Sequence, residues 1–169
     1  MGIGKVIALL IGVAIIAGSG SYLLFKDDNT TTSDAQNSGS VTAPASKTAD
    51  YSGKGLAKFP KEVLGQTNLV ILDISDNNLT GALPAEIRHL TKLEELNASN
   101  NKMTGIPAEI GQLSKLKTLN YANNQITGLP LELGNLTQLD VLDLRGNPNV
   151  SQYDLSLIRP KLPNTDIKL

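Results

Sequence analysis

Leu69-Val70-Ile71-Leu72-Asp73-Ile74-Ser75-Asp76-Asn77 is answered by Leu93-Glu94-Glu95-Leu96-Asn97-Ala98-Ser99-Asn100-Asn101. Leu116-Lys117-Thr118-Leu119-Asn120-Tyr121-Ala122-Asn123-Asn124 and Leu139-Asp140-Val141-Leu142-Asp143-Leu144-Arg145-Gly146-Asn147 then repeat the form. Each stretch reads Leu-x-x-Leu-x-apolar-x-x-Asn, and the starts at 69, 93, 116 and 139 lie 24, 23 and 23 residues apart. A fixed period in this range marks stacked repeats. The Leu-x-apolar alternation predicts a short strand with alternate side chains inward, and one strand per repeat builds a parallel sheet. The closing Asn77, Asn101, Asn124 and Asn147 are expected to form a structural ladder, their amides bonding backbone groups that the strands leave unpaired. No unit buries its leucines alone, so the stack is the folding unit.

Downstream of each Asn the repeats continue as Leu79-Thr80-Gly81-Ala82-Leu83-Pro84-Ala85-Glu86-Ile87, Met103-Thr104-Gly105-Ile106-Pro107-Ala108-Glu109-Ile110 and Ile126-Thr127-Gly128-Leu129-Pro130-Leu131-Glu132-Leu133. The Thr-Gly step turns the chain, and Pro with its preset φ starts a returning convex segment. Ile87/Leu90, Ile110/Leu113 and Leu133/Leu136 line that segment's inner face. These motifs resemble the leucine-rich-repeat family, and specifically its plant-type and related bacterial subclass, over residues 50–169. The resemblance implies an α/β solenoid, a short arc with a parallel sheet on its concave face. It also implies a non-enzymatic protein-binding module serving adhesion, sensing or scaffolding. The paired-cysteine caps of secreted plant members and any kinase or ligase domain are missing, which favours a bacterial or other stand-alone binding protein.

The ends follow the same period. A degenerate first repeat is expected over 50–68, with Tyr51, Leu56, Phe59, Pro60 and Val63 in repeat register. A C-terminal cap is expected over about 151–169, with a short helix at Asp154–Arg159 and a last strand at Leu162–Ile167 that places Asp166 beside Asp143. Atypical terminal units shield the end layers of a solenoid. Within the core, Ala98 and Tyr121 occupy one inward position in successive repeats beside Ile74, a pairing of small with oversized side chains that suggests volume compensation.

Upstream the composition changes twice. Val6–Phe25 is uncharged and of about 30 Å helical length, enough to cross a bilayer. It reads as an N-terminal transmembrane signal-anchor over 1–25, with Tyr22 and Phe25 at the interface; the alternative is a signal peptide cleaved near Ala17-Gly18-Ser19. Lys5 before the span and Lys26-Asp27-Asp28 after it place the N-terminus in the cytoplasm and the repeats outside, or the whole mature chain outside if cleaved. The small-residue stripe Gly4, Ala8, Gly12 offers weak self-association of the anchor helix, although such anchors are simply rich in Gly and Ala. Residues 26–49 are Ser/Thr/Asn/Asp-rich with Val41 as their one large apolar side chain, so a disordered linker is expected.

Composition and surface positions bound the function. Net charge is −1 for the whole chain, and from Asp50 onward 12 Lys+Arg oppose 13 Asp+Glu, so no basic stripe suits nucleic acid. The absence of cysteine removes disulfides, thiolate nucleophiles and cysteine zinc sites. The candidate protein-binding face comprises the outward strand positions Asp73, Ser75, Glu95, Asn97, Ser99, Thr118, Asn120, Asp143 and Arg145. Of these only Arg145 is a residue type that dominates binding hot spots. Asp73 and Asp143 lie three strands apart, roughly 14 Å, too far for a carboxylate pair. His89, the single histidine, falls on the convex side. No catalytic, metal or cofactor constellation is expected, which leaves a hydrolase or metal enzyme the weakest alternative and a surface protein without a specific ligand the closer one. Five Asn-x-Ser/Thr sequons, at Asn29, Asn78, Asn97, Asn135 and Asn149, arise largely from the repeat consensus itself.

Overall fold

The structure, a computed structural model, describes residues 47–169. The expected anchor at 1–25, with its small-residue stripe, and the linker up to residue 46 lie outside the described residues. Among the described residues no helix is long and apolar enough to cross a membrane.

Six strands form one parallel sheet: β1 (Thr48–Asp50), β2 (Ile71–Asp73), β4 (Glu95–Asn97), β6 (Thr118–Asn120), β7 (Val141–Asp143) and β8 (Asp166–Lys168). A second, two-stranded parallel sheet pairs β3 (Thr80–Gly81) with β5 (Lys102–Met103). Sequence neighbours are spatial neighbours throughout, as stacked repeats require. The register is regular, with Leu72, Leu96, Leu119 and Leu142 directly opposite one another and all fully buried. Leu69, Leu93, Leu116 and Leu139 make a second buried column, and Ile74, Ala98, Tyr121 and Leu144 a third.

The convex side returns through one-turn 3₁₀ helices at Lys61–Gly65, Ala85–His89, Ala108–Gln112 and Leu131–Asn135. Pro60, Pro84, Pro107 and Pro130 precede them with φ between −73° and −66°, the angle the ring imposes. From Pro84 the chain closes successive i→i+3 bonds, Ile87 N–H to Pro84 O at 3.0 Å, Leu90 to Ile87 at 3.0 Å and Leu93 to Leu90 at 2.9 Å. This tight winding delivers each leucine to the inner face and then starts the next strand. Glu62, Glu86, Glu109 and Glu132 fall in the first turns, where negative charge favours the exposed N–H groups.

Both ends depart from the expected boundaries. β1 begins before residue 50, so Lys47, Thr48 and Ala49 belong to the solenoid rather than to the linker. Ala49 fills the leucine column opposite Leu72 and is buried, so the column begins with a methyl group rather than a leucine. At the other end, α1 spans Gln152–Ile158 and starts two residues before the expected Asp154, because Ser151 Oγ caps it by accepting from Asp154 N–H at 3.1 Å. With a 3₁₀ turn at Arg159–Lys161 added, the last unit is longer than the others. Asp166 therefore pairs with Val141, and Lys168 takes the place beside Asp143 that the repeat period assigned to Asp166.

Candidate functional site

The concave face is built from two lanes that run across the sheet. One reads Thr48, Ile71, Glu95, Thr118, Val141, Asp166; the other reads Asp50, Asp73, Asn97, Asn120, Asp143, Lys168. In the second lane the side chains are largely committed to their own backbone. Asp50, Asp73, Asn97, Asn120 and Asp143 each accept, through Oδ1, the N–H of the residue two positions on, at 2.8–3.3 Å. Short Asx side chains make this local bond where a strand gives way to a turn. The hydroxyls of Ser52, Ser75 and Ser99 donate to the same oxygens at 2.6–2.8 Å, and Asn97 Nδ2 donates across the strands to Asp73 Oδ2 at 3.0 Å.

This folding-over corrects three expected surface positions. Ser75, Ser99 and Asp143 are buried, the serines beneath their Asx partners and Asp143 beneath the Arg145 guanidinium. Asp73, Asn97, Thr118 and Asn120 are half-buried, while Glu95 and Arg145 are exposed. The Glu95 carboxylate, the Thr118 hydroxyl and the Asn120 amide nitrogen have no bonding partner among the described residues, and Glu95 and Thr118 are direct neighbours.

Arg145 is fixed rather than free. Its Nε donates to both Asp143 oxygens at 3.0 and 3.1 Å, and Nη2 donates to Oδ2 at 2.6 Å. The Arg145 side chain stays 61% exposed over a carboxylate that is 7% exposed. The hydrogen bonds from Arg145 hold the Asp143 carboxyl below its ordinary pKa, against the opposing effect of burial, with Lys168 adding a smaller attraction.

Below this face the four expected ladder asparagines are buried and saturated. Asn101 Oδ1 accepts from Leu79 N–H at 2.9 Å, and its Nδ2 faces the carbonyls of Ile74, Ala98 and Ser99 at 3.0–3.2 Å. Asn124 and Asn147 repeat the arrangement one and two repeats on, and Asn77 does so against Tyr51, Lys54 and Leu56 of the first unit. Each amide thus ties its own turn to the preceding repeat. Beside them runs a rim ladder in left-handed backbone, Asp76, Asn100 and Asn123 with φ of 54–56°, linked by Asn100 Nδ2 to Asp76 Oδ1 at 2.9 Å and Asn123 Nδ2 to Asn100 Oδ1 at 2.8 Å. The signal for this rim in the sequence is the Asp/Asn/Asn/Gly choice at 76, 100, 123 and 146, residue types that tolerate positive φ. Gly146, at φ 70°, completes the rim where a Cβ would lie 2.1 Å from Asn123 Oδ1. His89 is exposed on the convex side, and no group of three or more metal-ligating side chains converges among the described residues.

A sequence profile described as a leucine-rich repeat region matches residues 49–158. No curated protein matches the sequence. Among solved structures, a leucine-rich-repeat protein of Leptospira interrogans is 42% identical over 67% of this chain and 28% of that one, with a TM-score of 0.62. An internalin of Listeria monocytogenes is 28% identical over 66% of this chain and 31% of that one, TM-score 0.57. A plant peptide hormone receptor, solved in complex with RGF2, is 36% identical over 65% of this chain and 18% of that one, TM-score 0.55. The chain therefore spans 18–31% of the length of these proteins.

Proposed function

The chain belongs to the leucine-rich-repeat family, and from that premise we propose that it is a non-enzymatic module that holds a protein partner on its concave face. The observation that carries this reading is Arg145, an exposed guanidinium whose rotamer a buried carboxylate has already fixed. A pre-ordered Arg loses little entropy when a partner arrives, which is the property of a hot spot. Glu95, Thr118 and Asn120 supply further unsatisfied groups on the two preceding strands. The receptor similarity supports the reading, since that protein was solved with a bound partner.

We further propose that residues 1–25 tether the module, with the repeats on the extracytoplasmic side, and that it stands nearest the bacterial members of the plant-type subclass. The Leptospira likeness, at 42% identity, supports that subclass. A second reading, a surface protein without a specific ligand, draws on the Asx lane, whose polar atoms are mostly consumed internally.

The two separate in a capture experiment that compares wild type with the Glu95→Ala/Arg145→Ala variant. A partner retained by wild type and lost by the variant supports the concave-face module. Equal retention moves binding off this face, and no specific partner leaves the ligand-free reading. Protease accessibility of the repeats on intact cells tests the compartment.

A further inference from the structure

The edge of the sheet where the chain enters its strands collects cations. Lys47, Val70, Glu94, Lys117 and Asp140 form one lane, each N–H from Val70 onward donating to the carbonyl of the residue before it in the lane at 2.7–2.8 Å. Asn68, Lys92, Lys115 and Gln138, each just ahead of a repeat's first leucine, form the next. Between the lanes lies an open groove of about 340 Å³ lined by Lys47, Asn68, Val70, Lys92, Glu94 and Lys115. Its one carboxylate is already engaged: Lys117 Nζ donates to Glu94 Oε2 at 2.7 Å, and this bond, with Lys115 and Lys47 in support, holds the Glu94 pKa below its ordinary value. Lys92 Nζ bonds a neutral group, Asn68 Oδ1, at 2.5 Å. Lys47, Lys92 and Lys115 therefore present three ammonium groups with no ion pair among the described residues.

Two features select the anion that suits them. The three lysines are exposed, so water and salt screen their attraction for any single small ion. A surface that carries many anions side by side engages all three together, each lysine near it contributing roughly fivefold. The chain also reaches the solenoid at Lys47, itself a groove residue, and the apolar run Val6–Phe25 stands upstream of it. A flexible chain of 21 residues, the number from 26 to 46, would span roughly 25 Å and would hold a groove so tethered at millimolar effective concentration over a bilayer.

We propose that the groove of Lys47, Lys92 and Lys115 seats the phosphodiester headgroups of an anionic bilayer surface, an inference that rests on residues 6–25 acting as an anchor. The absence of cysteine lets single probes be placed on the full chain, and Gln138→Cys, exposed in the same lane as Lys92 and Lys115, reports on the groove. Gln125→Cys, exposed beside the second sheet, is the control. Each labelled chain is incorporated into vesicles of phosphatidylcholine alone or mixed with phosphatidylglycerol, both containing a headgroup quencher.

The expected result is flotation with both vesicles and quenching at 138 only with the anionic ones. About 0.5 M NaCl should abolish that quenching. Lys92→Gln/Lys115→Gln should reduce the docked-to-undocked ratio about 25-fold with an unchanged circular dichroism spectrum. Equal quenching at 138 in the two vesicles, an equal rise at 125, or indifference to the double substitution overturns the groove. Failure to float with neutral vesicles overturns the anchor alone, because salt-sensitive quenching by anionic vesicles still reads the groove. Loss of quenching on adding inorganic phosphate, but not sodium chloride of matched ionic strength, reassigns the seat to free phosphate and overturns the lipid source.

Discussion

Replacing Tyr121 by Phe is expected to stabilise the fold. Tyr121 lies wholly inside the solenoid, in the column of Ile74, Ala98 and Leu144, and its Oη is the one buried side-chain polar atom without a hydrogen-bond partner among the described residues. An unpaired hydroxyl taken out of water costs about 1–3 kcal/mol. Phe keeps the buried ring and removes only the oxygen. The void, on the order of 10–15 Å³ at about 24 cal/mol per Å³, returns roughly 0.3 kcal/mol. The balance is a gain of roughly 0.7–2.7 kcal/mol, at about 3–6 °C in melting temperature for each kcal/mol in a domain of this size. Urea unfolding followed by far-UV circular dichroism measures it, as a higher midpoint at unchanged slope.

A pH arm reads the same group independently. Burial raises the phenol's pKa above the ordinary 10.0, so the folded state holds this proton more tightly than the unfolded state. Wild type keeps that contribution in full below pH 10 and loses stability as the pH climbs beyond it, whereas Tyr121→Phe lacks the loss. The gap between the two proteins should therefore widen above pH 10. A lower midpoint for Tyr121→Phe at neutral pH would refute the reasoning by showing that the hydroxyl is satisfied inside the fold, and parallel alkaline profiles would refute it by showing that the phenol is not held out of water.

Other substitutions probe other parts of the solenoid. Asn124→Ala removes the acceptor of Met103 N–H and the donor to the Ala98, Tyr121 and Ala122 carbonyls, all buried, and should cost about 3 kcal/mol by the same urea measurement; a loss under 1 kcal/mol would mean that water replaces the amide. Gly111→Ala places a Cβ 2.3 Å from the Glu132 carbonyl oxygen, and should cost 2 kcal/mol or more, on the order of overpacking a core. Gly134→Ala meets the Lys161 side chain, with Cδ nearest, rather than backbone, and should cost less than Gly111→Ala, so equal losses at the two glycines would contradict the packing described. Asp143→Asn tests the Arg145 clamp by pH. The depressed pKa of Asp143 gives stability that is present above its ordinary 3.8 and is lost as pH falls through the folded value. The deficit of the variant at neutral pH should accordingly shrink below pH 3.8, and a constant deficit would discard the clamp.

The parts of the fold that were legible are those where one cause recurs at every repeat. Leu72, Leu96, Leu119 and Leu142 announce themselves because each must fill the same layer, and the ladder asparagines because each turn leaves the same backbone groups unpaired. Where the period lapses, the sequence misleads. Ala49 hides a strand because a terminal layer tolerates a methyl in place of leucine, and α1 shifts β8 by two residues because a helix is longer than the turn it replaces. The candidate face was legible only by direction. Alternation says which side of the sheet Ser75, Ser99 and Asp143 occupy, but their burial follows from hydrogen bonds to residues two positions away. The lysine groove needs the register of adjacent lanes before its members come together.

That distinction limits what the concave face says about a partner. Asp73, Asn97 and Asp143 are already explained by the backbone and side chains they hold, so their identities carry little information about a ligand. Information resides in the groups left over, Glu95, Thr118, Asn120 and the outer side of Arg145. They lie on β4, β6 and at the end of β7, three adjacent strands that span roughly 10 Å. A stable protein interface occupies about 20–30 residues a side, far more than these four. A partner read by this set alone would be one extended segment rather than a folded surface. A larger partner would have to find its remaining contacts on other faces, because four groups on three strands cannot supply an interface of that size.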